Sequence, residues 1–427
     1  MQSLIERQAE DAGFLVQLRD RQVRAPNVRL TTLVRFDERL DAHLDALTTA
    51  GNAGVVAAQA QNNTEPGTAL FLAVALGLKQ YAAPDRTPGA DVVPTIAQLP
   101  PPDAPDATST IGVCIAALAL ADRDPATRTI RDLLLESNPL ARSIAVGAIG
   151  ARRSDPGPVL TALADDPSPV VRARAYRTAG QLGRADLMVL LAPGLADDDP
   201  ESRFWSAWAA ARMGGGEEPL GVLAEIAWTN QPRGAPALDL LLRCLELPHA
   251  NAWLRELAKL PGRQRDLIRA TGVVGDPVYI PWLIERMVEP ETARLAGEAF
   301  SMITGLDLSY RDLDRKQPAD FESGPNDDPS DENVALDEDE NLPWPDPGRI
   351  GSWWLANIAH YQPGTAYFLG TPKPAADWLG ALSDAFQRQR RAAALELAIR
   401  MPRAAMFEVR ARGRLQRRLI ARSRGLA

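Results

Sequence analysis

Three stretches decide the fold: 137–150, SNPLARSIAVGAIG; 166–180, DPSPVVRARAYRTAG; and 198–211, DDPESRFWSAWAAA. They superimpose on a proline followed three residues later by an arginine: Pro139/Arg142, Pro169/Arg172 and Pro200/Arg203, at spacings of 30 and 31 residues. Asp or Asn before the proline supplies an N-cap and a turn, and proline sits harmlessly in the first helical turn. The remainder of each copy is apolar and rich in small residues, and Ala145, Ala148, Ala175 and Ala179 let paired helices approach closely. Second helices lie between the copies, in SDPGPVLTALAD (154–165) and GRADLMVLLAPGLAD (183–197), and later in GDPVYIPWLIERM (275–287). A weaker copy, EPETARLAGEAFSMITG (289–305), sets Arg294 91 residues after Arg203, three periods on; the stretch 234–271 is helical in pattern but has drifted. No helix pair of this kind buries its apolar face alone, so neighbours must stack into a solenoid. The recurrent arginine has two readings. It bonds carbonyls or the Asp of the adjacent repeat, which is the favoured one, or it forms a row that binds a ligand.

Composition narrows the function classes. The chain has 427 residues, 45% hydrophobic and 24% charged, with a formal charge of −8. That apolar share suffices for a core and excludes global disorder, and the acidic balance argues against a generic nucleic-acid binder. Cys114 and Cys244 give no disulfide framework and three histidines no His-rich metal site, so a reducing, cytoplasmic setting is expected. The N-terminal MQSLIERQAEDAG carries acids where a secretory signal needs an apolar run, and the longest apolar stretch, 111–121, falls short of a bilayer span.

Working outward from the repeats, the expected organisation is a helical N-terminal unit (1–81), a Pro-rich connection (82–106), the repeat solenoid (107–315), an acidic disordered linker (316–347) and an aromatic, Arg-rich helical unit (348–427). Leu30, Leu33, Phe36, Leu40, Leu44 and Leu47 predict an amphipathic helix closed by Gly51, with Asp37, Asp41 and Asp45 on a solvated opposite face. His43 beside Asp41 and Asp45 reads as part of that charged face rather than as an acid–base pair. Between Asp320 and Asp346 stand eleven acids and no base, whereas Arg388 to Arg424 holds twelve arginines against two glutamates. The basic tail fits phosphate groups or an acidic partner, and equally a solubilising role. Trp344, Trp353, Trp354, Tyr361, Tyr367, Phe368 and Trp378 crowd together as either a small core, the favoured reading, or a binding patch. His360 reads as a packing histidine. The final long helix is expected from Ala375 through LSDAFQRQRRAAALELAIRM.

Catalytic signatures are missing. There is no G-x-x-x-x-G-K-[ST], G-x-S-x-G, H-E-x-x-H or C-x-x-C, and the acidic run lacks calcium-loop spacing. No cofactor is expected, and the chain reads as a non-enzyme.

The pattern D-P-x-x-x-x-R-x-x-A resembles the short HEAT repeats of phycobilisome lyases. Five blocks extend the likeness: 10–47, VRARAYRTAGQLGRADL (171–187), SRFWSAWAAARMG (202–214), ARLAGEAFSMITGLDL (293–308) and WWLANIAHYQPGTAYFLGTPKP (353–374). Their order resembles a family of bacterial HEAT-like proteins often encoded beside type VI secretion genes, from which the acidic insertion departs. The resemblance implies an all-α, HEAT-like α-solenoid with flanking helical N- and C-terminal units, no catalytic residues, and a scaffold or adaptor role. Its partner would be a protein, a secretion component or a secreted effector, with no membrane contact. Nucleic-acid binding through an Arg-rich groove is the alternative, and a lyase-like enzyme the third reading. The candidate partner-binding residues are Trp205, Trp208, Trp353, Trp354, Tyr367, Phe368, Arg388 and Arg391.

Overall fold

The structure, a computed structural model, describes residues 2–61, 66–80, 92–101, 104, 107–229, 232–319, 321, 324 and 337–425. The chain opens with α1 (Gln2–Gln22), α2 (Leu30–Thr49), α3 (Asn52–Ala60) and α4 (Pro66–Gln80), then α5 (Val92–Ala97), α6 (Ala107–Leu120) and α7 (Arg123–Leu134). The repeats form α8 (Pro139–Arg152), α9 (Val159–Leu163), α10 (Pro169–Leu182), α11 (Met188–Gly194), α12 (Pro200–Arg212) and α13 (Glu217–Ala227). The drifted stretch and the weak copy supply α14 (Gly234–Cys244), α15 (Leu247–Leu257), α16 (Gln264–Val274), α17 (Ile280–Arg286) and α18 (Pro290–Thr304). After them come β1 (Asp314–Arg315), β2 (Trp344–Pro345), α19 (Pro347–Asn357), β3 (Tyr367–Phe368) and β4 (Thr371–Pro372). The chain ends in α20 (Trp378–Asp384), α21 (Gln387–Arg400) and α22 (Gly413–Ser423). Two compact units result: Met1–Arg24 with Val28–Leu223 and Leu379–Ala427, and Ala25–Asn27 with Ala224–Trp378.

In the first unit the long helices α8, α10 and α12 stack directly on one another, with the short α9 and α11 beside them. The helix starts obey the repeat chemistry. Asn138 Oδ1 accepts from the Leu140 N–H at 2.9 Å and Asp199 Oδ2 from the Ser202 N–H at 2.7 Å, each ahead of a proline at the first helical position. Small residues set the spacing: a Cβ on Gly180 of α10 would stand 2.8 Å from the Ala209 Cβ of α12. Leu140, Ile144, Val171 and Phe204 are fully buried there, each contributing about 2 kcal/mol of transfer free energy.

The two chain ends meet within this unit. α2 runs as expected, with Leu30, Leu33, Leu40, Leu44 and Leu47 buried and Gly51 at φ +59° behind it. Its opposite face is not the solvated surface the sequence suggests. Asp37 is 6% exposed, 2.6 Å from Arg19 Nε, and accepts the Gly413 N–H at 2.6 Å. Asp41 pairs with Arg412 and Glu38 with Arg414, so the basic tail is anchored on α2. A buried polar network holds α20, α21 and α22 together: Arg390, without exposure, donates to Leu382 O, Gln387 Oε1 and Gln416 Oε1. The expected single final helix is interrupted at Ala385–Phe386, where Phe386 makes an antiparallel bridge with Arg29. Within the Pro-rich connection, residues 82–91, 102–103 and 105–106 lie outside the described residues, but 92–97 is helical, with Val92 and Ile96 buried.

In the second unit, Phe300, Ile268, Leu295 and Ile303 centre a core that Ile350, Trp354 and Tyr367 complete. Residues 316–347 are not wholly the linker expected. β1 and β2 pair antiparallel, Arg315 opposite Trp344, and Asp339 is 2% exposed; residues 325–336 lie outside the described ones. The extended residues 367–373 run over two helix ends. The Tyr367 N–H donates to Gly275 O behind α16, the Leu369 and Gly370 N–H groups to Met302 and Ile303 O of α18, and Lys373 Nζ to Val273 O.

Candidate protein-interaction surface

The repeat arginines are committed to the fold. Arg142 Nε and Nη2 grip Asp166, both at 3.0 Å, and its Nη1 donates to Glu136 O and Ser137 O. Arg172 repeats the geometry on Asp197, with both bonds at 2.9 Å, and on the carbonyls of Asp166 and Pro167. Each aspartate also caps the following turn, Asp166 on the Ser168 N–H and Asp197 on the Asp199 N–H. The Arg172 bonds, above all, hold the Asp197 carboxyl below its ordinary range against the opposing effect of burial. Arg203 continues the pattern with a bond to Asp197 O. The favoured reading of these arginines, neighbouring carbonyls and the next repeat's Asp, is what the structure contains.

Arg294, the weak copy, finds its acids in the acidic stretch. Its Nη2 stands 2.7 Å from Asp337, its Nη1 donates to Asp339 O, and its guanidinium lies over the Trp344 ring at 4.7 Å. Arg265 holds Asp339 at 2.8 Å and Arg269 holds Glu338 at 2.5 Å. Acids 337–339 thus play the part that the following repeat plays for Arg142 and Arg172.

A second device closes the first unit. Between α21 and α22 the chain crosses the C-terminal ends of α12, α10 and α8. Arg212 donates to Pro402 O at 2.7 Å and Ala404 O at 2.5 Å. The Met406 N–H donates to Gln181 O at 2.8 Å. Arg153 donates to Met406 O at 2.5 Å and meets Glu408 at 3.2 Å. Arg412 then reaches Leu120 O of α6. Burial alone would raise the Glu408 carboxyl; the charges of Arg410 and Arg153 outweigh it and hold the group at about 2.

The candidate residues are distributed through both units. Trp208 is buried at the α10–α12 contact, and Trp354, Tyr367 and Phe368 are buried in the second unit. Trp353 is half-buried, edge-on to Phe300 and Tyr361. Core packing has claimed these rings, so as surface anchors Trp208, Trp354, Tyr367 and Phe368 are corrected. Arg388 is half-buried, its Nε 3.5 Å from Arg24 O, and Arg391 is exposed. Trp205 is half-buried, with the Arg177 guanidinium 4.4 Å over its ring and its Nε1–H donated to Glu201 at 3.2 Å. Sequence reasoning passed over Trp228, 39% exposed and stacked on Trp253 at 4.3 Å in the second unit. Trp228 follows the end of α13 and Trp253 lies in α15, so no helical spacing joins them in the sequence.

His43 Nδ1 meets Gln8 Oε1 at 2.7 Å, while Asp41 and Asp45 are taken by Arg412 and Lys79. His360 is exposed rather than packed. Among the described residues no group of three His, Cys, Asp or Glu could hold a metal, and no helix is long and apolar enough to cross a membrane. A cavity lined by Leu40, Leu44, Phe71, Leu78 and Arg412 measures about 20 Å³, the scale of a single water. The Cys114 thiol is buried and pushed up to about 12 by that burial.

Residues 157–241 match the family model of HEAT repeats. No curated protein matches the chain, and no solved structure does. Together with the stacked helix pairs, the match makes the fold an all-α, HEAT-like solenoid. HEAT repeats generally act as protein-interaction scaffolds. The match bears on the repeats alone and carries no link to phycobilisome lyases or type VI secretion.

Proposed function

We propose that the protein is a non-enzymatic scaffold that holds a protein partner on the repeat surface of its first unit. The observation that carries this reading is Trp205, an indole half-open to solvent between Arg177 and Glu201, on a stack whose other large rings are buried. Trp and Arg are the residue types that most often dominate interface energetics, and a ring fixed from beneath loses little freedom on binding. The commitment of Arg142 and Arg172 to carboxylates argues against a phosphate-binding row and hence against the nucleic-acid alternative. The partner we infer is a component or cargo of a type VI secretion apparatus, with the protein as a cytoplasmic adaptor. That step rests on the order of the sequence blocks alone.

Affinity capture with the full chain tests the proposal, using nuclease-treated lysate of cells that express the neighbouring genes, beside a Trp205→Ala chain. A protein held by the wild type and depleted about tenfold or more on the variant is the expected result. Recovery of nothing, or of nucleic acid alone from untreated lysate, overturns it.

A further inference from the structure

The crossing segment 402–408 is held almost entirely by its main chain. Carbonyls two residues apart, those of Pro402, Ala404 and Met406, turn toward the helix ends and accept from Arg212 and Arg153. The alternate residues Met401, Arg403 and Ala405 face solvent. The segment enters through a turn, the Ala404 N–H donating to Met401 O at 2.9 Å, and only its later residues run without local bonds, so these contacts read the path of the main chain and leave the outward side chains unspecified. One side chain is read, the Glu408 carboxylate, by Arg153. Three successive long helices supply the contacts, Arg212 on α12, Gln181 on α10 and Arg153 behind α8. Gly183, at φ +69°, gives the backbone room: a Cβ there would stand 2.5 Å from Ala404 O.

One group in this row is poorly matched. Arg212 has no exposure, and its charge faces two neutral carbonyls while its Nε has no partner. Burial pushes its guanidinium down to about 10, and the nearby Arg153 charge acts in the same direction. Lifting the segment rehydrates that cation, which lowers the cost of opening. A segment with a carboxylate at the position of Pro402 or Ala404 would supply the counter-charge the resident one lacks.

We propose that the C-terminal ends of α8, α10 and α12 form a peptide-binding groove, that residues 402–408 are its resident occupant, and that an acidic segment of the partner takes their place. This inference rests on the scaffold reading above and names the chemistry of the partner.

The test uses the full chain with 402–408 replaced by a Gly/Ser segment of equal length, and as probes fluorescein-labelled peptides of residues 400–412. The replaced chain is expected to bind the native peptide, and an Ala404→Asp peptide about tenfold more tightly. A Glu408→Ala peptide is expected to bind about tenfold more weakly, and the wild-type chain to bind every peptide about tenfold more weakly than the replaced chain, because its own segment competes. A folded replaced chain that binds none of the peptides overturns the groove. Should that chain not fold, hydrogen exchange of the wild type decides. The Met406 amide is expected to exchange about a hundredfold faster than the amides of α10, through local opening, and an equal rate overturns the inference. A partner captured through Trp205 alongside failed peptide binding removes the groove and leaves the scaffold standing.

Discussion

Arg172 and Asp197 stand one repeat apart and are joined by two parallel bonds of 2.9 Å, Nε to Oδ2 and Nη2 to Oδ1. The pair does two jobs. It ties the start of α10 to the turn before α12, and through Asp197 it caps that turn. Replacing Asp197 by Asn leaves the guanidinium half-buried without a counter-charge and is expected to cost about 2 kcal/mol, with an Arg172→Met cycle giving a coupling of about 1 kcal/mol. Because the folded carboxyl lies below its ordinary range, the contribution is present above that range and fades as pH falls through the folded value. Urea unfolding of the four chains at neutral pH and near pH 3 checks both statements.

Glu408 offers a sharper acid signature. Its carboxyl is held at about 2 against an ordinary value of 4.5, so its stabilisation is complete above about pH 4.5 and is lost as pH falls toward 2. The shift corresponds to about 3 kcal/mol. Glu408→Gln is therefore expected to destabilise by about that amount at neutral pH and progressively less below pH 4.5. A penalty independent of pH would show that the loss is one of packing and not of charge.

Two glycines with nearly the same backbone separate strain from contact. Gly157 and Gly183 have φ of +66° and +69°; a Cβ meets nothing within 4 Å at the first and Ala404 O at 2.5 Å at the second. Gly157→Ala is expected to cost about 1 kcal/mol and Gly183→Ala about 2 kcal/mol more, as differential scanning calorimetry would report. Equal penalties would mean that residues 402–408 are not seated on α10 in solution.

In the second unit, Asp339→Asn removes the Arg265 pair at a residue 2% exposed. The expected outcome is faster hydrogen exchange over 337–345 with α16 and α18 little changed, since the core centred on Phe300 does not depend on that contact. Acceleration spread evenly through the unit would indicate that the acids hold the helices themselves.

The repeat stack was readable from Pro139, Pro169 and Pro200 because capping and the helical period are local properties. The arginine three residues on was readable for the same reason, since its aspartate recurs one period later. What pairs at long range was not. Asp37 has the spacing of an exposed helical face, and only the return of Gly413 to that face buries it. Residues 402–408 carry no periodic signal, because a segment held by its carbonyls constrains its own side chains little. The aromatics from Trp353 to Phe368 read in the sequence as core ahead of a binding patch, but which of them pack inside depends on α18 and α19, and of the candidates on the repeats only the burial of Trp208 separates it from Trp205.

The scaffold reading turns on that last distinction, and one measurement addresses it directly: calorimetric titration of the captured partner into wild-type and Trp205→Ala chains of matched thermal stability. A loss of about 2 kcal/mol, roughly thirtyfold in affinity, is the predicted result. Equal affinity for the two chains would contradict it.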